Sequence, residues 1–173
     1  MQANSGSGKT TLMERMIPAF VMEGLKVSVI KHAHHEFDVD RPGKDSYRHR
    51  EAGAAEVLIT GARRRALMHE LRSAPEPKFD QLLEHFSPCD IVLDEGFKSE
   101  SIPKLEVHRP LSGLPLLFPC DPNIVAIAAD KPPRTPLPQL DVNEPKTVAY
   151  FIIDYVGFKV SAPIHRTAVA VNV

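Results

Sequence analysis

Residues 4–11 (NSGSGKTT) are the feature that most narrows the folds open to this 173-residue chain. They lead directly into residues 9–23, in which apolar side chains recur at the three- to four-residue spacing of an amphipathic helix. The backbone N–H groups of a glycine-rich turn, together with a helix N-terminus, form a concave donor surface that suits a polyphosphate. The segment therefore predicts a phosphate-binding loop that opens the first helix.

The side chains of this loop suggest separate roles. Lys9 would reach the β and γ phosphates of a nucleoside triphosphate and is a predicted catalytic residue, while the Thr10 hydroxyl would bind Mg²⁺. The full pattern has another glycine five residues before Gly8, where this chain has Ala3, so an ordinary loop remains an alternative. The predicted nucleotide-binding residues of the loop are Ser5, Gly6, Ser7, Gly8, Lys9, Thr10 and Thr11.

Short β-branched runs alternate with helical patterns, as in a sheet with crossover helices. Strands are predicted at 26–31, 56–60, 65–69, 90–94, 104–108 and 124–129, and helices at 9–23, 46–53, 78–85 and 144–155, with Asp45 capping the second helix. Ten of the 16 prolines lie between Pro103 and Pro145, which predicts mostly loops there. We expect an α/β fold with a doubly wound, mostly parallel sheet and flanking helices.

A phosphate-binding loop normally follows a buried central strand, and only three residues precede Asn4 here. The first strand is therefore expected to be truncated, unless another segment fills the central position. The weakly alternating tail, with Val169, Val171 and Val173, is the obvious candidate. The tail as a whole, residues 156–173, could be a strand, a linker or disordered.

Two acids end the apolar run at residues 90–94. A carboxylate at the tip of a neighbouring strand is what a Mg²⁺–triphosphate site needs beside a loop hydroxyl. Asp94 and Glu95 are therefore candidate metal ligands with Thr10, and a solvated strand end is the alternative. Because adjacent side chains of a strand face opposite sides, both acids can contact one ion only where the strand has ended.

Residues 31–46 (KHAHHEFDVDRPGKDS) follow a predicted strand, at the edge where open α/β sheets bind ligands. Three interpretations remain open: a transition-metal site on the histidines and Asp38, contacts to an anionic substrate, or a solvated loop. Asp38 and Asp40 could instead face Mg²⁺ or orient an attacking water, and Asp40 is the second predicted catalytic residue. The predicted substrate-binding residues are Lys31, His32, His34, His35, Lys44 and Asp45.

Composition limits the possible partners and location. Lys and Arg number 21 against 22 Asp and Glu, a net charge of −1, which argues against nucleic-acid binding as the main role. Two cysteines and the lack of an apolar signal segment favour a reducing, cytoplasmic setting, and the apolar runs are too short for a membrane span. We expect neither a nucleic acid nor a membrane as partner.

Four segments together closely resemble the molybdopterin-guanine dinucleotide biosynthesis protein B (MobB) family. They are the glycine-rich loop at residues 6–11, KHAHHEFDVDRPGKDSYRHREAGA at 31–54, ALMHE at 66–70 and DEGFK at 94–98. The resemblance spans about residues 3–130, and its most specific part is HxHHxFDxDxPGKDS.

This resemblance implies a homodimeric P-loop GTP-binding protein that assists the enzyme attaching GMP to molybdopterin, with at most slow GTP hydrolysis. GTP and Mg²⁺ would be its cofactors, and molybdopterin and a guanylyltransferase its partners. Residues 1–155 would form the GTP-binding domain. The family often has an apolar residue where this chain has Asp94. The implied phosphate ligands are Gly6, Gly8, Lys9, Thr10 and Thr11, with Glu95 as the acidic strand-end residue.

Several alternatives stay open at this stage. No NKxD segment is present, so guanine specificity is undecided. Asp130 could accept two hydrogen bonds from the N1 and N2 edge of guanine, or be a turn residue before Pro132. Other possible functions are a non-catalytic adaptor that presents nucleotide or molybdopterin and a nucleotide-gated metallochaperone that uses the histidines. A small-molecule kinase is disfavoured, because the sequence has no arginine-rich lid segment.

Overall fold

The computed structural model describes residues 8–33, 36–158 and 167–172. They fall into two compact units, a sheet unit (Met1–His32 with Leu83–Val173) and a hairpin unit (Ala33–Leu82). The helices are α1 Lys9–Met22, α2 Asp45–Glu51, α3 Phe79–Glu84 and α4 Pro145–Tyr155, with a 3₁₀ turn at Pro110–Ser112. The strands are β1 Val27–Lys31, β2 Glu56–Thr60, β3 Arg65–His69, β4 Ile91–Glu95, β5 Lys104–His108, β6 Ile124–Ala129, β7 Gln139–Asp141 and β8 Thr167–Asn172.

The sheet unit contains six strands in the order β1-β4-β8-β5-β6-β7, with all neighbouring strands parallel. β8 lies in the interior of this sheet, with Thr167 opposite Ile91 of β4 and Ala170 opposite Lys104 of β5. Residues 167–172 of the tail therefore form a strand and fill an interior position of the sheet. Parallel sheets are normally buried on both faces, and residues 91–94 of β4 are accordingly all buried.

The core of the sheet unit forms around two helices. The apolar stripe of α1, including Leu12, Met16 and Phe20, packs with the buried side of α4, including Val148 and Ile152. α1 continues through the exposed Pro18 and ends at Met22, with Glu23 and the positive-φ Gly24 after it, as its sequence predicts. This packing fixes the start of α1 at the carboxyl edge of the sheet.

The hairpin unit is built on an antiparallel pair, β2 and β3, in which Leu58 lies opposite Leu67. α2 packs against β2. The prediction that Asp45 caps α2 is wrong by one residue, because Asp45 is already helical and Lys44 occupies the cap position. The Asp45 carboxylate lies instead in the first turn, where a negative charge complements the helix dipole.

The predicted α/β fold with a mainly parallel sheet and flanking helices is confirmed. Four strands have the predicted bounds, namely β2, β3, β5 and β6. β7 was not predicted; it is a three-residue strand that directly follows Pro138 in the proline-rich region. Among the described residues, no helix has the length and apolar character needed to cross a membrane.

Candidate functional site

The candidate site forms where α1 begins, at the carboxyl edge of the parallel sheet. Gly8 is the N-cap of α1 with φ +88°, a left-handed conformation that glycine adopts at no steric cost. Lys9, Thr10 and Thr11 form the first turn, whose backbone N–H groups have no intrahelical acceptor. The predicted loop residues Ser5, Gly6 and Ser7 lie outside the described residues.

Thr10 and Glu95 are brought together although 85 residues separate them. The Thr10 hydroxyl donates a hydrogen bond of 2.7 Å to Oε1 of Glu95, the last residue of β4. Lys31 Nζ, at the end of β1, lies 3.9 Å from Oε2 of the same carboxylate. A hydroxyl and a carboxylate side by side are hard oxygen donors of the kind Mg²⁺ binds together with nucleotide phosphates, so this donor set fits that ion.

Asp94, the other predicted metal ligand, does not reach Thr10. It precedes Glu95 within β4, so its side chain faces the opposite side of the strand, where it is fully buried. Burial raises the pKa of Asp94 to about 6, and the Phe97 backbone N–H and the charge of His32 offset that only in part. Neither carboxylate oxygen of Asp94 accepts a hydrogen bond of ordinary geometry from the described residues.

Positive charge gathers around the start of α1. Burial lowers the pKa of Lys9, and the charges of Lys98 and Lys31 lower it further, while Glu95 acts in the opposite sense. A bound polyanion would relieve this repulsion between lysines. Lys98 was not among the predicted ligands; its sequence signal is its position in the DEGFK segment just after β4.

His32 belongs to the packing where β1 and β4 end. Its backbone N–H donates a 2.9 Å hydrogen bond to the Glu95 carbonyl, and its ring stacks on Phe97 with centroids 4.6 Å apart. Gly96 has φ +126°, and a Cβ there would lie 2.9 Å from both Cβ and the carbonyl oxygen of His32. The close approach therefore requires glycine. His34 and His35 lie outside the described residues.

Arg109 and Asp130 follow the neighbouring strands β5 and β6. Nη1 of Arg109 is 3.7 Å from Oδ2 of Asp130. A Cβ placed on Gly8 would lie 3.2 Å from Nε and from Nη2 of Arg109, so the guanidinium lies against the start of α1. Sequence reasoning missed Arg109, whose only signal is a cation at the carboxyl end of a strand.

The remaining predicted residues belong to the hairpin unit. Asp40 accepts a 2.9 Å hydrogen bond from the Ser46 hydroxyl and lies 3.5 Å from Arg50 Nε. Arg50 also donates to both oxygens of Asp38, which lowers the pKa of that carboxyl, and to Glu70 at 2.7 Å. Lys44 and Asp45 line an open cavity along β2 with Ser46 and His49.

No group of three or more His, Cys, Asp or Glu side chains within residues 8–33, 36–158 and 167–172 is arranged to hold a metal ion.

Comparison with known proteins gives a consistent result. The family model described as "Molybdopterin guanine dinucleotide synthesis protein B" matches residues 1–130. The chain is 39% identical over 154 residues to the molybdopterin-guanine dinucleotide biosynthesis adapter protein of Escherichia coli K12, covering 87% of this chain and 88% of that protein. It is 42% identical over 151 residues to the adapter protein of the same name from Haemophilus influenzae, covering 86% and 83%.

Solved structures agree with these sequence matches. A crystal structure of molybdopterin-guanine biosynthesis protein B superimposes with a TM-score of 0.68 at 25% identity, covering 87% of this chain and 94% of that one. The crystal structure of Bacillus subtilis MobB has a TM-score of 0.68 at 26% identity, covering 88% and 93%.

Proposed function

Because the chain belongs to the MobB family, we propose that it is a nucleotide-binding adapter in molybdopterin guanine dinucleotide biosynthesis. It binds GTP with Mg²⁺ and assists a guanylyltransferase that acts on molybdopterin, and its own GTP hydrolysis is at most slow. The observation that carries the nucleotide site is the 2.7 Å hydrogen bond between Thr10 and Glu95 at the start of α1.

The chain's own residues divide the work at this site. The first-turn N–H groups of α1 and Lys9 bind the phosphates, and Lys31 and Lys98 add positive charge around Lys9. Thr10 and Glu95 would hold Mg²⁺, which supplies charge neutralisation on the phosphates when it is bound. The Asp130 carboxylate accepts two hydrogen bonds from the N1 and N2 edge of guanine.

Substitution of Lys9 tests the phosphate site. Lys9→Ala removes charge-assisted contacts worth about 1.5–3 kcal/mol, so we expect GTP affinity measured by calorimetry to fall roughly ten- to a hundred-fold. The helix should persist, because alanine has the highest helix propensity. Unchanged GTP affinity in a folded Lys9→Ala protein would exclude the phosphate-loop assignment.

A matched pair of carboxylate variants tests the metal ligands. Glu95→Gln should weaken the Mg²⁺-dependent part of GTP binding more than Mg²⁺-free binding, because a neutral amide is a poor ligand for a hard ion. Asp94→Asn, on the buried side of β4, should leave the Mg²⁺ dependence in place. The reverse result would move the metal site by one residue.

Molybdopterin binding is assigned to Lys31, His32, His34, His35, Lys44 and Asp45. His34→Ala with His35→Ala should lower molybdopterin affinity or stimulation of the guanylyltransferase, while GTP affinity stays within about threefold. Normal stimulation with loss of a co-purifying transition metal would favour the metallochaperone instead. Stimulation without GTP turnover would favour a non-catalytic adaptor.

The proposed homodimer is tested by light scattering of the purified full chain.

A further inference from the structure

Strands on the two sides of β8 supply different side chains to the start of α1. On one side β4 supplies Glu95, which is bonded to Thr10. On the other side β5 and β6 supply Arg109 and Asp130. The functions proposed above use the first side fully, but they leave Arg109 without a role.

The guanidinium of Arg109 occupies the space beside the cap of α1. Both Nε and Nη2 would be 3.2 Å from a Cβ at Gly8, so any larger residue at position 8 would meet this side chain. A guanidinium presents five N–H donors in a planar fork that matches phosphate oxygens. Arg109 therefore places a phosphate-binding group where the helix N-terminus also favours an anion.

The same guanidinium faces Asp130. The 3.7 Å separation of Nη1 and Oδ2 allows electrostatic pairing but exceeds hydrogen-bond distance. The other oxygen of Asp130, Oδ1, is buried and accepts no hydrogen bond from the described residues. The pairing thus orients the carboxylate, whose Oδ1 has unused acceptor capacity; because this atom is buried, a base must displace the atoms that cover it.

We propose that Arg109 is a specificity-determining residue of the nucleotide site: its guanidinium contacts a phosphate at the start of α1, and its pairing with Asp130 orients the carboxylate that reads the base. This inference rests on the proposed function, since it requires a nucleotide at α1. It predicts two separate effects of the Arg109 side chain. Loss of Arg109 weakens binding of all nucleoside triphosphates and also reduces the preference for guanine over adenine.

Calorimetric titration of the full chain with GTP and with ATP, each with Mg²⁺, measures both effects. Arg109→Ala should lower affinity for both nucleotides about tenfold, and the ratio of GTP to ATP affinity should fall by a further threefold or more, about 0.7 kcal/mol. Arg109→Lys keeps the charge without the fork, so it should recover part of the affinity but not the ratio. Arg15→Ala, an exposed position on α1, removes the same charge and should change either affinity less than about twofold.

A double-mutant cycle tests the coupling to Asp130. Asp130→Asn should reduce GTP affinity and spare ATP affinity, and this loss should be smaller in the Arg109→Ala background because the carboxylate there is no longer oriented. Thermal melting confirms that each variant folds; if Arg109→Ala does not, Arg109→Gln, which also removes the charge, takes its place.

Failure of the proposed role of Arg109 and failure of the proposed nucleotide site would give different results. Unchanged affinities in Arg109→Ala, a loss with the same GTP to ATP ratio, or equal wild-type affinities for the two nucleotides would each overturn the role of Arg109. A wild type that binds neither nucleotide, or binding that is indifferent to Lys9→Ala, would overturn the proposed function instead.

Discussion

The sheet unit and the hairpin unit are held together by different forces. The sheet unit buries side chains such as Met16, Phe20, Ile91 and Leu93 almost completely. In the described part of the hairpin unit, Phe79 is the only apolar residue that is buried. Polar contacts there converge on Arg50, which pairs with three acids, Asp38, Asp40 and Glu70.

This difference has consequences for function. Apolar burial contributes about 25 cal/mol per Å² and is not weakened by charge screening, whereas ion pairs are screened by salt to the extent that solvent reaches them. The rigid sheet unit therefore holds Thr10 and Glu95 in fixed geometry. In the hairpin unit, by contrast, Asp38 and Asp40 are held by ion pairs with Arg50, which salt can weaken.

Removal of β8 should have the largest effect. Deleting residues 167–173 takes a strand from the sheet interior and leaves one edge of β4 and one edge of β5 without a partner, so we expect the sheet unit to lose a typical domain stability of more than about 5 kcal/mol. Thermal unfolding followed by circular dichroism would show no cooperative transition. Deleting Val173 alone is the control, and a truncated protein that melts like the wild type would contradict the topology.

Asp94 should make the sheet unit less stable as pH rises. Its folded pKa of about 6 lies above the usual 3.8, so the folded protein binds more protons between these values. The stability is then complete below about pH 4 and is lost as pH rises through 6. Asp94→Asn should remove this dependence and unfold in urea at pH 7.5 with up to about 3 kcal/mol more stability than the wild type. Parallel pH profiles for the two proteins would disprove it.

Glu106 is also a buried carboxylate, but here we expect the amide variant to be less stable than the wild type. It accepts hydrogen bonds from the backbone N–H groups of Leu117 at 2.8 Å and Phe118 at 3.0 Å. Glu106→Gln leaves one of these donors facing an amide N–H, so we expect a loss of about 1–3 kcal/mol in urea unfolding at pH 7.5. A stability gain like that of Asp94→Asn would show that burial outweighs hydrogen bonding at both carboxylates.

Arg50→Ala should have the smallest global effect and a strong local one. Amides of residues 36–46 should exchange hydrogen about tenfold faster, because Asp38 and Asp40 lose their partner, while β4 and β5 keep their protection. Arg50→Lys should restore part of the protection at low salt and less at high salt, since the ammonium is a point charge without the planar fork. Faster exchange across the sheet unit would mean that the two units do not differ in this way.

The elements were largely predictable because their signals are local. β2 and β3 are short β-branched or apolar runs bounded by turn residues, and α1 shows both its apolar stripe and its glycine stop. β7 could not be found, since three residues after a proline carry no period. The alternating tail was the predicted candidate for the central position, and β8 fills it, but its two neighbours β4 and β5 could not be predicted, because strand order in a parallel sheet depends on pairing across long separations.

The candidate site was predictable in part for the same reason. The proximity of Thr10 to an acid at the end of β4 follows from a helix start and a strand end at one edge of the sheet. Which acid it would be depended on side-chain alternation, and the structure places Glu95 there and buries Asp94. Arg109 was missed because its neighbour Gly8 lies about 100 residues away in the chain, and no local pattern records that contact.

The interior position of β8 also limits when the sheet can assemble during synthesis. About 60 residues separate the end of β5 from the start of β8, and at about 5–20 residues per second they take roughly 3–12 s to synthesise. For that time β4 and β5 have unpaired backbone edges, the kind of surface that recruits other strands. The six-stranded sheet can close only once residue 172 has emerged, so we expect the newly made chain to be most prone to edge-to-edge association during this interval.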